Sequence, residues 1–317
     1  MIRSFLKKQD NFTLLGLVVT LVLLSSIFGI TSQYFFLPKN MLNIGQSISI
    51  RGIIAIGLTA VLITGGLDLS IAAVAAVAGM VAAAILKANG SGTQAVLIAL
   101  AAAAGLGAIN GLVIVRFRIN PIIATLGTLL LFRGLAYVVS NGENIVIGTN
   151  AWSYLGRGYF LGIPVSLILF LVLIFLAWLF MRYTILGNYL YAIGGNSTAC
   201  RNAGIPVDLI RFGTYVVTAM LSGTAGLILM SQAGTSMPIA LNGAELDIIT
   251  AVLLGGIGLA GGRGTMIGTL LGIVIIGVVN NGLILSGVQI YWQMVARGLI
   301  LIIAVTLDSF RKGGGYR

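Results

Sequence analysis

Few residues in this chain can do chemistry, and most of them sit inside apolar sequence. Three carboxylates lie at the edges of long apolar runs: Asp68 in ITGGLDLSIAAV, and Glu245 and Asp247 in GAELDIITAV. At such places a carboxylate either caps a helix at its positive dipole end or lines a polar route through lipid. Capping is the leading expectation for all three, and a translocation path is the sharper one. Ser70, Asn110 and Asn281 complete the candidate path residues. Asn110, Asn280 and Asn281 are amides within apolar runs, where hydrogen bonds between helices are commoner than ligand contacts. Arg51 lies deep in another run and needs a counter-charge, for which Glu245 or Asp247 is expected. Arg133 and Arg297 can carry their heads to an interface on long stems.

Other chemistries lack their residues. Histidine is absent and Cys200 is the single cysteine, which removes Ser-His triads, His-ligated metals, His proton relays and an intramolecular disulfide. The glycine run GGIGLAGGRG at 255–264 lacks the Lys-Ser/Thr ending of a phosphate loop, so a tight turn or close packing is expected there. No enzyme activity, cofactor or metal is expected.

The elements that position these residues follow from composition. Hydrophobic residues make up 58% and charged ones 8%, against about 45–50% and about 25% in soluble domains. That much apolar surface defines an all-α, polytopic integral membrane protein in a single domain, 1–317. Glycine, at 44 residues, suits close helix packing in lipid. Ten spans are predicted: 12–30, 43–64, 69–88, 93–115, 120–140, 161–181, 211–232, 245–261, 264–286 and 290–308. The eighth is short and interrupted by Gly255, Gly256 and Gly258. The first follows Arg3, Lys7 and Lys8 without a convincing cleavage site and reads as a retained helix.

Charge then orients the spans. The net charge of +11 would suggest nucleic acid in a soluble protein, but its distribution points to membrane orientation instead. If both termini are cytoplasmic, twelve of the 18 basic residues lie on the inner side and three on the outer, namely Lys39, Lys87 and Arg157. Arg51, Arg133 and Arg297 fall within spans. The polar segment 182–211 is thereby placed in the cytoplasm. Within it, Asn196 or Ser197 caps a short helix, Gly204 closes it and Pro206 stops continuation. A connection with its own capped helix is a candidate docking surface.

Three short anchors recur in order in the two halves. Leu67-Asp68-Leu69 matches Leu246-Asp247-Ile248, Asn110-Gly111-Leu112 matches Asn281-Gly282-Leu283, and Arg133-Gly134-Leu135 matches Arg297-Gly298-Leu299. Five spans separate the copies, so a true repeat would be inverted, as in transporters that carry substrate between two copies. Chance in a Gly- and Leu-rich chain is the competing account.

Together these residues resemble a family: the membrane permease subunits of bacterial binding-protein-dependent ABC importers, in the branch for ribose, arabinose, xylose and related monosaccharides. The similarity covers nearly the whole chain. It rests on ITGGLDLS at 63–70, NPIIATLGTLLLFRGLAYVVSNG at 120–142, LGNYLYAIGGNSTACRNAGIPV at 186–207, and the block from 243–272 into NNGLILSG at 280–287. Two departures are Ile71-Ala72-Ala73, where many members carry Val-Gly-Ser or Val-Ala-Ser, and Thr198 in place of the coupling pattern's leading Glu. The resemblance implies an inner-membrane homodimer, or a heterodimer with a sister permease, driven by two cytoplasmic ATPases and supplied with sugar by a periplasmic binding protein. It implies that 196–205 inserts into the ATPase, with Asn196, Thr198, Ala199, Arg201 and Gly204 as coupling residues, and that the binding protein docks on 141–160 and 233–244. Alternatives are a permease for branched-chain amino acids or nucleosides, or an ion-coupled carrier using Asp68, Glu245 or Asp247.

Overall fold

A computed structural model describes residues 2–148 and 152–311. α1 (Ile2–Thr31) is followed by α2 (Pro38–Ile63), which starts on a proline at its first turn. α3 (Ile71–Lys87) precedes α4 (Gly92–Val115), where Ser91 and Gln94 form a reciprocal capping box. α5 (Pro121–Ser140) combines an Asn120 side-chain cap with a first-turn proline. Between α5 and the next long helix lie β1 (Ile145–Val146), α6 (Ser153–Arg157), β2 (Tyr159–Phe160) and β3 (Ile163–Pro164). α7 (Val165–Tyr183) leads into α8 (Ile185–Gly195), capped by Thr184, and α9 (Ser197–Asn202), capped by Asn196. α10 (Val207–Ala233), β4 (Thr235–Ser236), α11 (Ala244–Leu254), α12 (Met266–Leu285) and α13 (Ile290–Arg311) complete the chain. Side-chain caps open α4, α5, α8, α9 and α12, whereas α2, α3, α6, α7, α10 and α11 start without one.

Seven of these helices are long and apolar enough to cross a membrane, and α3 and α13 contain shorter apolar segments. Large apolar side chains stay exposed along α1, α5 and α7, among them Val22, Leu130 and Phe175. Faces of that kind suit contact with lipid. The expected eighth span, 245–261, needs correcting. Its helix ends at Leu254, so α11 rises only about 16 Å of the ~30 Å hydrocarbon layer. Residues 255–265 continue as a glycine loop in which Gly256, Gly261, Gly262 and Gly264 have positive φ. The segment 182–211 is likewise mostly helical, with two short helices where one was expected.

The long helices α2 and α10 cross at the centre. A Cβ on Gly57 would lie 2.6 Å from the Cα of Thr218, so the backbones touch. Around that crossing the contacts are mirrored. α2 packs on α11 and α12 while α10 packs on α3 and α4; α3 contacts α4 and α5 as α11 contacts α12 and α13. The two ends of the bundle differ in charge. Arg116, Arg182, Arg201, Arg211 and Arg263 mark a basic end, and Lys39, Lys87 and Arg157 lie at the opposite end. There β1 pairs antiparallel with β4, tying the two loops that flank α6 and α11, and β2 pairs with β3. Lys312 and Arg317 fall outside the described residues.

Candidate functional site

Three places collect polar groups. The first is a buried cluster near the basic end. Asp68 is 1% exposed, and its Oδ1 accepts from the Ser70 amide at 2.9 Å and the Ser70 hydroxyl at 2.7 Å. Asn110 on α4 donates from Nδ2 to Ser70 Oγ at 2.8 Å and lies 3.5 Å from Asp68 Oδ2. Asp68, Ser70 and Asn110 thus meet in one buried cluster, which lines none of the cavities described below. The capping expectation for Asp68 changes: Ser70 occupies the N-cap of α3, and Asp68 acts one step upstream on the turn. This turn is also held by Tyr215 of α10, whose hydroxyl donates to Leu67 O at 3.4 Å.

The second is an ionic bridge within the bundle. Asp247 Oδ2 lies 3.6 Å from Arg297 Nη1 on α13 and 3.9 Å from Arg51 Nε on α2. Of the two partners expected for Arg51, Asp247 is the one in place. Arg297 does not simply reach for an interface, since its head shares the same carboxylate. Nor does Arg133: it donates from Nη1 to Pro238 O at 2.7 Å and Ala240 O at 2.8 Å, clamping the connection before α11. Glu245 and Asp247 lie in the first turn of α11, where the dipole favours acids, but Gly243 holds the N-cap position with φ 81°. Asn281 forms a reciprocal amide pair with Asn40 of α2, both bonds 2.9 Å, joining α12 to α2. Asn280, expected to bond similarly, has no partner for either side-chain amide atom.

The third place was not anticipated. Between α2 and α10, towards the opposite end, lies a cavity of about 540 Å³ lined by Asn43, Gln46, Ser47, Arg51 and Gln232 with Ile50 and Leu229. Gln46 Nε2 donates to Gly156 O at 2.7 Å, and Gln232 Oε1 is buried without a hydrogen-bond partner. A buried acceptor without a partner beside such a cavity is costly in the closed bundle, and a small turn of the side chain would bring it to the cavity wall. None of Asp68, Ser70, Asn110, Glu245, Asp247 and Asn281 lines it. A signal was present: Asn43, Gln46, Ser47, Ile50 and Arg51 follow helical spacing and place four polar groups on one face of an apolar helix. A second large cavity, about 680 Å³ and apolar, lies between α7, α8 and α10 near the basic end.

At the basic end, Asn196 Oδ1 accepts from the Ala199 amide at 2.9 Å and caps α9. Gly204, at φ 78°, closes the segment, with the Ile205 amide returning to Cys200 O at 3.0 Å. Cys200 packs with Ile193 and Val207 in a small core of its own. Thr198, Ala199 and Arg201 are exposed, and Arg201 is paired with Asp208 of α10.

A bundle of helices long and apolar enough to cross a bilayer, with a cavity of mixed polar and apolar lining between its two central helices, defines an all-α polytopic membrane protein. The chain belongs to the family described as branched-chain amino acid transport system / permease component, which it matches over residues 40–305. It is 38% identical over 299 residues to the ribose import permease protein RbsC of Escherichia coli K12, covering 93% of both chains. To RbsC of Bacillus subtilis it is 41% identical over 296 residues, covering 93% of this chain and 92% of that one. To the L-arabinose ABC transporter permease protein AraH of Azospirillum brasilense it is 35% identical over 301 residues, covering 94% and 88%. No solved structure matches.

Proposed function

We propose that this permease translocates a monosaccharide of the ribose or arabinose kind as the membrane subunit of a binding-protein-dependent ABC importer. The observation that carries the reading is the near full-length match to permeases named for those two sugars. The chemistry of the α2–α10 cavity supports it. Its polar lining offers amide and hydroxyl groups and one arginine already facing Asp247, which suits a neutral polyol. A branched-chain amino acid would bring an ammonium group, and no carboxylate stands among the lining residues to receive it.

In this reading the basic end faces the cytoplasm of a bacterial cell and α9 engages an ATPase, with Thr198, Ala199 and Arg201 on its exposed face. A periplasmic binding protein delivers sugar to the opposite end, over the loops joined by β1 and β4, and a second permease copy or a sister chain completes the pathway. The permease need only favour different helix arrangements when the ATPase is open or closed.

Proteoliposomes holding the chain with its ATPase and binding protein test this. Uptake of labelled ribose or arabinose should require ATP and persist with an ionophore. Gln232→Ala should cut uptake by about 5–30-fold, the effect of losing one buried hydrogen-bonding group. Uptake collapsed by the ionophore and indifferent to ATP, or uptake of leucine alone, would overturn the proposal.

A further inference from the structure

At the basic end three distant segments meet backbone to backbone: the end of α8, the turn after α2, and the glycine loop 255–265. The Gly262 amide donates to Ile63 O at 2.8 Å. A Cβ on Gly194 would lie 1.9 Å from Ile63 O and 2.3 Å from Gly262 N, and one on Gly261 would lie 2.7 Å from Gly65 N. Two side chains fasten the flanks of this junction. The Tyr191 hydroxyl donates to Gly264 O at 3.0 Å, and Arg211 Nη2 donates to Thr64 O at 3.1 Å.

We infer that Gly194 is a positioning residue for transport, the point at which movement of the α8–α9 unit passes into the helices that wall the route. The inference rests on the coupling role proposed above for α9. Only Asn196 separates α8 from α9, so a displacement of α9 arrives at Gly194 with one residue of slack. Backbone packed on backbone has no rotamer to absorb that displacement, so the three segments move together. From Ile63, α2 runs unbroken to Pro38, carrying Arg51, Ser47, Gln46 and Asn43 on the cavity wall. Gln46 lies about 25 Å along the helix from Ile63, so a push at one end is delivered at the other. From Gly262, the same displacement reaches α12, and through Arg211 it reaches α10, the other wall of the cavity.

Gly195 provides a matched control. It is the next residue of the same helix, yet a Cβ there would meet nothing within 4 Å. The experiment compares Gly194→Ala with Gly195→Ala in the reconstituted complex with its ATPase and binding protein, recording ATP hydrolysed and sugar taken up. Gly195→Ala should keep the wild-type ratio of uptake to hydrolysis. Gly194→Ala should still bind the ATPase and support hydrolysis while uptake per ATP falls about tenfold or more. A wild-type ratio in Gly194→Ala overturns the inference, and so does an equal loss in both variants. Should Gly194→Ala fail to assemble, Tyr191→Phe takes its place, because it removes one hydroxyl and leaves the backbone contacts intact. Its uptake per ATP should fall about two- to fivefold at an unchanged melting temperature, and an unchanged ratio overturns the inference. A wild-type chain that carries sugar without any ATPase would instead sink the coupling reading itself, which separates the two failures.

Discussion

Asp247 is the residue on which the second half of the chain is hung. It is 5% exposed and faces the guanidinium groups of both Arg51 and Arg297, one from α2 and one from α13. Removing one partner of a fully buried pair typically costs about 3–5 kcal/mol; Arg51 and Arg297 are partly exposed, so solvent screening makes the loss here smaller. Asp247→Asn strands two arginines, so its melting temperature in nanodiscs should fall further than that of Arg51→Gln or Arg297→Gln, each of which leaves the carboxylate one partner. Equal melting of Asp247→Asn and the wild type would show that the bridge does not hold these helices. Half of this arrangement was readable from the sequence, because a lone arginine in an apolar run demands an anion, and Glu245 and Asp247 open the eighth span from the outer side. Arg297 was not readable as a partner. Its heading depends on the crossing of α13 over α11, which no local pattern encodes.

Among the elements, hydropathy located the long helices, and glycines marked where α11 stops. α8 escaped recognition because ILGNYLYAIGG carries two helix-weakening glycines at its end and sits within a polar stretch. The cavity escaped because it belongs to a pair of helices: the polar stripe of α2 gains meaning only once Gln232 of α10 is seen to face it. Close contact between elements depends on glycine at defined sites. A Cβ on Gly272 of α12 would come within 1.9 Å of Ala251 O on α11, whereas one on Gly127 of α5 would meet nothing within 4 Å. Gly272→Ala should therefore lower stability by about 1–3 kcal/mol through overpacking, and Gly127→Ala should be neutral or slightly stabilising. Thermal unfolding of the two variants in the same detergent checks the contrast. Equal melting temperatures would mean that α11 and α12 separate freely.

At the scale of the whole molecule, the asymmetry of basic residues supports the orientation proposed for the bundle. The proposed orientation predicts that Lys39→Cys, in a Cys200→Ser background, reacts with an impermeant maleimide added to intact cells, while Arg116→Cys reacts only after lysis. The opposite pattern would invert the assignment of both ends and move α9 away from any cytoplasmic partner. The mirrored packing around α2 and α10 also gives the molecule two comparable halves that hold each other's helices, α10 within the first and α2 within the second. Movement at either long helix is therefore shared by both halves.

The ionic bridge has a further consequence for biogenesis. Synthesis runs from the first residue to the last, so α2 enters the bilayer with Arg51 long before Asp247 exists, and Asp247 arrives before Arg297. For most of translation the arginine must rest against water, lipid headgroups or the insertion machinery. α11, about half a bilayer long and bearing two acids in its first turn, gains little from entering lipid alone. Its insertion is best served by a cationic socket already waiting on α2. Because translation delivers Arg51 first, the bridge can close only once the last third of the chain has been made.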